Sequence, residues 1–418
     1  MYKVLLLLLS SILMAGGYKL PEVSLNAVGL LSANVAHASG ADTSYYNPAN
    51  MVFMADKHVT ENDLTYIGLS DTNYRGTYTN TDGTNSIVTT GHDLEADKEN
   101  FFIPTLHYTS ADMGGYRIGL SIVSPGGLTK RWSDQPGATF SEEFTLKIIE
   151  FNPSVAFKLA DNLGVAVGAR VIYSDGLVKS NGPIVIGAGA PPPTSVVSRD
   201  LEGDSLDFGY NIALAYKPTP ELELGLTYRS KVDMTLEGHA KLTSVVGPDY
   251  EGGASVDSLL PASLHVAAAY TFATETTVEF VYDRTFWSEY KELDFNYSGA
   301  LGNLILTAAF DEPKARNWKD VSTYRLGITQ KLGKTTLMCG IAYDETPIPN
   351  ASLSFDLPDS DLIAYSFGVR QQVTEKLNLG LSTLYAPRKS REVNNVNLNG
   401  KFSETSALLV SVGFQYIF

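Results

Sequence analysis

The chain of 418 residues has very little cysteine, few histidines and fewer basic than acidic residues. Its one cysteine, Cys339, excludes an intrachain disulfide framework and a zinc cluster built from cysteines. The 31 Lys and Arg residues are outnumbered by 46 Asp and Glu residues, and no basic stripe could neutralise nucleic-acid phosphates. The six histidines are scattered, and none forms a metal-ligand pair by spacing. We therefore expect no nucleic-acid partner, no metal and no cofactor.

Long hydrophobic runs are also missing, except at the start of the chain. The first residues, MYKVLLLLLSSILMAGG, carry one early lysine, an apolar run that continues to Met14, and small residues around Ala15. This pattern is typical of a secretory signal peptide cleaved near Ala15, so residues 1–15 are expected to be removed. A membrane-anchoring helix would need about 20 apolar residues, and this run is shorter and interrupted by serines. The mature protein is predicted to be exported, and in a membrane it can lie only as strands.

Alternation of apolar with small or polar residues marks much of the remaining chain. The closing stretch, VSVGFQYIF, places Val410, Val412 and Phe414 on one face of an extended strand, with Ser411 and Gly413 on the other. The same alternation recurs at residues 222–228, 264–272, 278–282, 337–343, 363–369 and 377–381. A soluble β-sandwich alternates as well, but its strands usually have about 5–6 residues. These segments reach about ten residues or more, which is the length a tilted strand needs to cross a bilayer.

The connections between the strand candidates alternate in length. The candidates begin near residues 57, 99, 114, 141, 163, 205, 221, 259, 276, 318, 334, 362, 376 and 402. Short connections such as ADN, KPTPE, ATET, LGK and TEK alternate with long ones at roughly 71–98, 125–140, 175–204, 239–258, 291–317, 344–361 and 387–401. Short turns at one rim and long loops at the other are typical of an outer-membrane barrel, and a soluble sandwich is not expected to show this alternation. We predict an all-β membrane protein, a 14-stranded antiparallel transmembrane β-barrel over residues 56–418, in the outer membrane of a Gram-negative bacterium.

Residues 16–55 do not alternate, so they must hang in the periplasm or fill the lumen as a hatch. Within them, SYYNPANM, with Asn47, Pro48 and Ala49, resembles the Asn-Pro-Ala plug segment of FadL-type outer-membrane transporters of long-chain fatty acids and other hydrophobic compounds. The mature start, GYKLPE, with Gly17 and Tyr18, resembles the Gly-aromatic start of that family. Further matches follow in order as LTYRSKV, TFWSEYKEL, NWKDVSTYRLG, GIAYDETPIP and LPDSD.

The resemblance implies a transport route for hydrophobic molecules. Such proteins capture substrate in extracellular loops, hold it in an internal apolar pocket and release it sideways through a kinked third strand, without an energy source. Here Ser124, Pro125, Gly126 and Gly127 lie where the family has its kink. Proline cannot donate to the ladder and glycine tolerates a bulge, although the strand could also simply end before this point.

Two long loops are apolar enough to capture a substrate. The first contains GPIVIGAGAPPPTSVV at 182–197, and the second contains LTSVVGPDY at 242–250. The alternative interpretation is that the loop tips pack against one another.

The expected ligand contacts are Lys319, Gly17 and Tyr18. Lys319 in NWKDV aligns with the family lysine that holds a fatty-acid carboxylate, although a lysine here could also be a charge at the rim of the barrel. The family's partner arginine is not matched, because the corresponding stretch, RVIYSDGLVKS, has Asp175 and Ser180 around that place, and whether Lys179 replaces it stays open. The natural substrate could therefore be a fatty acid or an aromatic or aliphatic hydrocarbon.

The main alternative function is a general porin for polar solutes. A porin should lack a plug of about 40 residues and usually carries a charged constriction. An enzyme is not expected, although a Ser/His site assembled from distant strands would leave no local motif. The expected partners are a hydrophobic small molecule, outer-membrane lipid and the barrel-assembly machinery, which would contact the C-terminal strand. The protein is expected to be a monomer.

Overall fold

The computed structural model describes residues 16–81, 86–185 and 194–418, so the predicted signal peptide at 1–15 lies outside them. The helices of the described residues are short: α1 Leu25–Leu30, α2 Thr43–Tyr46, α3 Gly137–Ser141 and α4 Leu304–Phe310, with 3₁₀ turns at Pro48–Phe53, Trp287–Glu289 and Asn350–Ser352. None of these helices is long and apolar enough to cross a membrane. The strands are β1 Val59–Leu69, β2 Asn73–Thr81, β3 Ser86–Glu95, β4 Glu99–Thr109, β5 Tyr116–Val123, β6 Gly127–Lys130, β7 Glu143–Ala160, β8 Leu163–Val185, β9 Thr194–Tyr216, β10 Leu222–Arg229, β11 Val232–Ser244, β12 Tyr250–Leu260, β13 Ala262–Thr271, β14 Thr276–Phe286, β15 Glu292–Leu293, β16 Phe295–Tyr297, β17 Lys314–Ala315, β18 Val321–Leu332, β19 Thr335–Asp344, β20 Leu362–Gln372, β21 Leu377–Pro387, β22 Arg391–Asn394, β23 Leu398–Ser403 and β24 Ser406–Ile417.

A closed antiparallel ring of strands forms the wall of the molecule. In the described part of the chain, the 14 strands of this ring are β1, β4, β5, β7, β8, β9, β10, β13, β14, β18, β19, β20, β21 and β24. The last strand pairs with the first, from Val59↔Ile417 to Leu69↔Ala407, and so closes the ring. The predicted fold class is confirmed.

One predicted strand start differs clearly from the structure. The sequence predicts a strand beginning near residue 205, but β9 begins at Thr194 and runs for 23 residues. It pairs with β8 along its whole length, up to Val185↔Thr194. The two strands therefore stay paired beyond the part of the wall that faces lipid. An apolar outer face is not required there, so the alternation does not mark this extension.

The two faces of the wall differ as the alternation predicts. On β24, Val412 and Phe414 are 49% and 42% exposed, whereas Leu409 and Ser411 are fully buried. Phe208 and Phe280 also point outward and are exposed. An apolar outer surface over a ring with paired backbone groups suits the hydrocarbon core of a bilayer, where an unpaired backbone group is costly.

The long connections fold into a cap at one rim. Strands β2, β3, β22 and β23 form a separate four-stranded sheet within it. Phe355, in a neighbouring loop, packs against two rings of this sheet, with centroid separations of 5.1 Å to Tyr74 and 5.8 Å to Phe402. The cap is therefore packed by its own aromatic residues.

The predicted capture loops are only partly covered by this packing. Val245 and Val246, in the segment 242–250, are 70% and 60% exposed. The other segment, 182–197, lies partly outside the described residues, because 186–193 are not among them. An apolar tip is therefore exposed on at least the second loop.

Residues 16–55, which we call the hatch, lie inside the ring. Their backbone forms α1, α2 and the first 3₁₀ turn, and most of their side chains are buried. Ala27, Val28, Val35 and Ala36 are fully buried. The hatch therefore fills the lumen at this level.

Candidate functional site

The Asn-Pro-Ala segment attaches the hatch to the wall. The Asn47 side-chain amide donates to Val35 O at 2.9 Å and to Leu214 O of β9 at 3.2 Å, while its Oδ1 accepts from Ala49 N at 3.2 Å. Pro48 begins the 3₁₀ turn, where its missing N–H is not needed. Asparagine thus ties two hatch segments and one wall strand together through a single side chain.

Charged wall residues hold the other side of the hatch. Glu279 of β14 accepts backbone hydrogen bonds from Val35 and Ala36, both at 2.7 Å, and from His37 at 3.0 Å. Asp283, which also lies in β14, forms an ion pair with Lys19 of the hatch at 3.1 Å. A carboxylate that accepts several N–H bonds makes the stronger, charge-assisted kind of contact, so the hatch is held firmly here.

The third wall strand breaks at the predicted position. Strand β5 ends at Val123, and the chain resumes as β6 at Gly127. Between them, Ser124 turns inward, and its hydroxyl donates to Ile148 O of β7 at 2.7 Å. Strand β6 pairs with β7 but not with β4. The strand thus ends at Val123 and restarts at Gly127 on one neighbour only.

The hatch takes the place of the missing ladder partner at this break. Gly127 N donates to Tyr18 O at 2.8 Å, and Leu20 N donates to Pro125 O at 2.8 Å. A Cβ on Gly126 would lie 2.7 Å from Tyr18 O, so only glycine allows this close approach. The residues around the break therefore bind the start of the hatch.

A gap in the hydrogen-bond ladder of the wall, which we call the opening, lies beside the break. Strand β4 pairs with β1 along its whole length, but its pairing with β5 ends at Leu106↔Ile122. Within the described residues, positions 99–105 have no ladder partner on that side. The opening closes again toward the cap, where Asp97 N donates to Arg131 O at 3.0 Å. The unpaired stretch is thus bounded at both ends.

An apolar cavity, which we call the upper cavity, lies between the cap and the start of the hatch. Its volume is about 40 Å³. Apolar contributors to its wall include Leu128, Phe144, Leu236, Val256, Leu293 and Phe295. A cavity that binds benzene has about 150 Å³, so a ligand of that size or larger can enter only if side chains move.

Tyr18 lies at the floor of the upper cavity, and Gly17 lies directly before it, beside the rings of Trp287 and Trp318. The Tyr18 ring lines the cavity and packs against Trp287 with centroids 4.8 Å apart, and the Tyr18 hydroxyl donates to Leu259 O. Gly17 has φ +76°, and a Cβ there would lie 2.7 Å from the Trp318 ring. A side chain at position 17 would therefore be strained and would collide with the rings below the cavity.

The cation in the cavity wall is Arg316 rather than Lys319. Lys319 is exposed and does not line the cavity, and its backbone N–H donates to Pro347 O at 3.0 Å. Lys179 is also outside the cavity and pairs with Asp200 at 3.6 Å. Arg316, by contrast, is 7% exposed and lines the cavity.

Several hydrogen-bond donors around Arg316 have no partner. Arg316 pairs through Nη2 with Asp356, but its Nε has no partner within the described residues. The indole nitrogens of Trp287 and Trp318 are likewise buried without a partner there. Burial raises the pKa of the nearby Tyr290 phenol, so that group stays neutral. The site therefore offers unused donors at the edge of an apolar space. Sequence reasoning missed Arg316, although it lies three residues before the quoted lysine.

Comparisons with known proteins agree with this architecture. A family model described as "Outer membrane protein transport protein (OMPP1/FadL/TodX)" matches residues 6–418. The long-chain fatty acid transport protein of Escherichia coli O6:H1 is 26% identical, over 98% of this chain and 96% of that protein. A crystal structure of a Pseudomonas aeruginosa FadL homologue has a TM-score of 0.84 at 21% identity, covering 96% of this chain and 99% of that one. The Ralstonia pickettii toluene transporter TbuX has a TM-score of 0.69 at 19% identity, covering 94% of this chain and 99% of that one.

The two structural likenesses show a shared fold, and the family match spans nearly the whole chain. These relatives are named as transporters rather than enzymes. The chain therefore belongs to the OMPP1/FadL/TodX family of outer membrane transport proteins, and its location is the outer membrane.

Proposed function

We propose that this protein is a passive channel for the uptake of hydrophobic molecules across the outer membrane. After removal of residues 1–15, the hatch at 16–55 blocks the axial path and the barrel at 56–418 provides the wall. Substrate is captured by the loops, passes through the upper cavity and leaves sideways into the bilayer. No energy source is needed, because the substrate moves down its own gradient.

Capture begins at exposed apolar residues of the cap. Val245, Val246 and Leu304 are all largely exposed, with Leu304 at 88%. The Asn303 amide donates to Val246 O at 3.0 Å, so the two segments that carry these side chains adjoin. Neighbouring apolar groups at the outer surface offer a hydrophobe its first contact.

The observation that most supports lateral release is the unpaired stretch 99–105 of β4, which lies beside Ser124, Pro125, Gly126 and Gly127. A hydrophobe that left through the periplasm would have to enter water, at about 0.8 kcal/mol for each CH₂ group. An exit through the wall avoids that cost, because the ligand passes from an apolar cavity directly into lipid.

The substrate class rests on the groups around the upper cavity. The relatives are named for long-chain fatty acids in one case and for toluene in another. The unpartnered donors of Arg316 and Trp318 favour a ligand with a carboxylate, because a buried charge needs a charged or hydrogen-bonding partner. Gly17 and Tyr18 shape the cavity floor, and we assign Lys319 to the path outside the cavity, where it would meet the head group first.

The hatch argues against a general porin. Its core residues fill the lumen and are fully buried, and Asn47, Pro48 and Ala49 tie it to β9. We further propose that the protein acts as a monomer in contact with outer-membrane lipid. The barrel-assembly machinery would recognise β24, the closing strand.

A cross-link across the opening tests lateral release. In a Cys339→Ala background, Thr105→Cys and Ser124→Cys place thiols on opposite sides of the unpaired stretch. A flexible reagent that joins two thiols and can be cleaved by reduction would bridge them. We expect the bridge to stop uptake of a labelled hydrophobe and its cleavage to restore uptake.

A matched pair in the paired wall provides the control. Thr65 and Ser411 are buried, lie opposite one another in β1 and β24, and have hydroxyl oxygens 3.0 Å apart. Bridging Thr65→Cys and Ser411→Cys should leave uptake unchanged. Normal uptake with the opening bridged would show that the substrate does not leave through the wall.

A further inference from the structure

A second cavity, which we call the lower cavity, is lined by Lys19, Leu20 and Pro21, the hatch residues that directly follow Tyr18. Its volume is also about 40 Å³. Its walls are formed by the hatch, by the break in the third strand and by the opposite side of the barrel; they include Lys19, Tyr45, Pro125, Arg229, Leu260 and His265. Pro125 lines the lower cavity but not the upper one. The lower cavity therefore adjoins the proposed exit.

The start of the hatch lies at the boundary of the two cavities, because Tyr18 lines the upper one and Lys19 lines the lower one. The Tyr18 backbone oxygen accepts from Gly127 N on one side of the lumen, and its hydroxyl donates to Leu259 O on the other. Along the chain near Leu259, Ser258 lines the upper cavity and Leu260 lines the lower one. A ligand that moves from one cavity to the other must therefore pass the start of the hatch at Tyr18 and Lys19.

The walls of the two cavities differ in charge. The lower cavity is lined by Lys19, Arg170 and Arg229, and no carboxylate is among its lining residues in the described part of the chain. The carboxylates that neutralise these cations lie behind them: Asp283 pairs with Lys19, and Glu150 pairs with both arginines. The surface facing the cavity is therefore electropositive.

One of these cations keeps an unused donor. Arg229 is 8% exposed, and its Nε has no partner within the described residues. Its other nitrogens donate to Glu150 and, at 3.4 Å, to Tyr45 O. A buried donor without a partner is costly and marks a place where a ligand acceptor would be stabilised.

We propose that the lower cavity is a second binding site, which takes the anionic head group of a carboxylate amphiphile after it passes Tyr18. The proposal rests on the function proposed above. The space fits a carboxylate but not an alkyl chain, so the chain would extend past Pro125 toward the opening. A neutral hydrocarbon has no group for this site and would pass without a stop.

Crystals of the intact protein soaked with 2-bromododecanoate test the site directly. Bromine beside the carboxylate gives an anomalous signal that marks the head group. We expect a bromine peak next to Arg229 in addition to one near Arg316. A peak in the upper cavity alone, at saturating ligand, would overturn the proposal.

Two variants test the site in solution by different routes. Arg229→Gln removes the charge but keeps a donor, and Leu260→Trp fills the cavity without touching a charge. Because a charged hydrogen bond is lost or blocked, each should slow uptake of dodecanoate about ten-fold. Arg229→Gln should leave uptake of dodecane unchanged, and Leu260→Trp should slow dodecane much less than dodecanoate. The heat-induced mobility shift of a folded barrel on gels reports folding, and crystals of Leu260→Trp should lack the Arg229 bromine peak.

The outcomes separate this proposal from the proposed function. If the wild-type protein takes up neither dodecanoate nor dodecane, the proposed function fails, while the bromine positions still decide the second site. If the wild type takes up both and the folded variants do the same at its rate, the second site is refuted. If the variants slow both probes equally, the residues act on the exit as a whole, and the assignment to a head group is refuted.

Discussion

At the scale of single residues, Gly17 shows why one position in the hatch tolerates no side chain. It combines φ +76° with rings of Trp318 and Trp287 at 2.7 and 2.9 Å from a hypothetical Cβ. Gly114, in a short turn, has φ +87° but nothing within 4 Å of that point. Both glycines have a positive φ, and they differ in the atoms that surround the position of a Cβ.

Alanine at these two positions should therefore have different effects. Each substitution places a Cβ in the left-handed region, at a cost of about 1–2 kcal/mol. Gly17→Ala should in addition push the rings below the cavity apart and weaken binding of a fluorescent fatty acid about ten-fold or more. Gly114→Ala should leave the dissociation constant unchanged. Equal binding by the two variants would mean that Gly17 does not shape the ligand site.

Arg316 and Lys319 make competing predictions for a carboxylate ligand. A charged hydrogen bond contributes roughly 1.5–3 kcal/mol, so its loss weakens binding about ten-fold or more. We expect this loss in the double variant Arg316→Met with Asp356→Asn, which leaves no carboxylate unpaired. Binding of dodecane should change little, because it has no charge.

Lys319→Met, measured beside that variant, tests the assignment made from the resemblance. A similar loss for dodecanoate alone would restore Lys319 as the head-group contact. If dodecanoate binding changes little, Lys319 stays assigned to the path outside the cavity. An equal loss for both ligands in the Arg316 variant would mean that Arg316 acts through folding of the loop.

At the scale of elements, the wall strands follow directly from the sequence because their pattern is local. Alternation on β24 separates Val412 and Phe414 from Leu409 and Ser411, and the structure has the same two faces. The break before β6 could be placed from one proline and two glycines. The segment that fills the break could not be predicted, because a backbone hydrogen bond joins Gly127 to Tyr18 and backbone bonds leave no pattern in the side chains of either segment.

The ligand site was harder to predict for the same reason. Tyr18 meets Leu259, 241 residues further along the chain, through a side-chain to backbone bond. Arg316 reaches the cavity because loops from distant strands fold inward over it. No local spacing records such contacts, and the assignment of Lys319 rests on the resemblance alone.

The outer face of the wall gives a prediction about single substitutions in the strands. Phe280→Arg or Leu379→Arg places a charge where the side chain faces lipid, which should destabilise the barrel by roughly 2–4 kcal/mol near the midplane. Asn378→Arg is the matched control, because Asn378 lines a polar cavity beneath the hatch. Unfolding in urea from lipid vesicles measures both.

Glu279 is not a suitable inward-facing control, although it adjoins Phe280. It is buried and accepts backbone hydrogen bonds from the hatch, so arginine there would break the contact between wall and hatch. If Asn378→Arg were as destabilising as Leu379→Arg, the assignment of the two faces would be wrong.

At the scale of the whole molecule, the proposed route runs from the cap to the bilayer. The cap exposes apolar residues, the upper cavity is small and mainly apolar, and the wall is unpaired beside the break. The start of the hatch touches each of these parts, since Tyr18 lines the cavity and bonds Gly127. Ligand binding and opening of the exit are thus expected to be coupled through this short segment.

The central claim is that the ligand leaves into the membrane and not into the periplasm. The most direct measurement uses vesicles with a lipopolysaccharide outer leaflet, a fluorescent acceptor in the bilayer and a different acceptor trapped in the lumen. A fluorescent fatty acid is added outside on an impermeant carrier. The account predicts that the bilayer signal rises before the lumenal one and disappears when the 105–124 cross-link is in place. A lumenal signal that rises first and persists with that cross-link would contradict it.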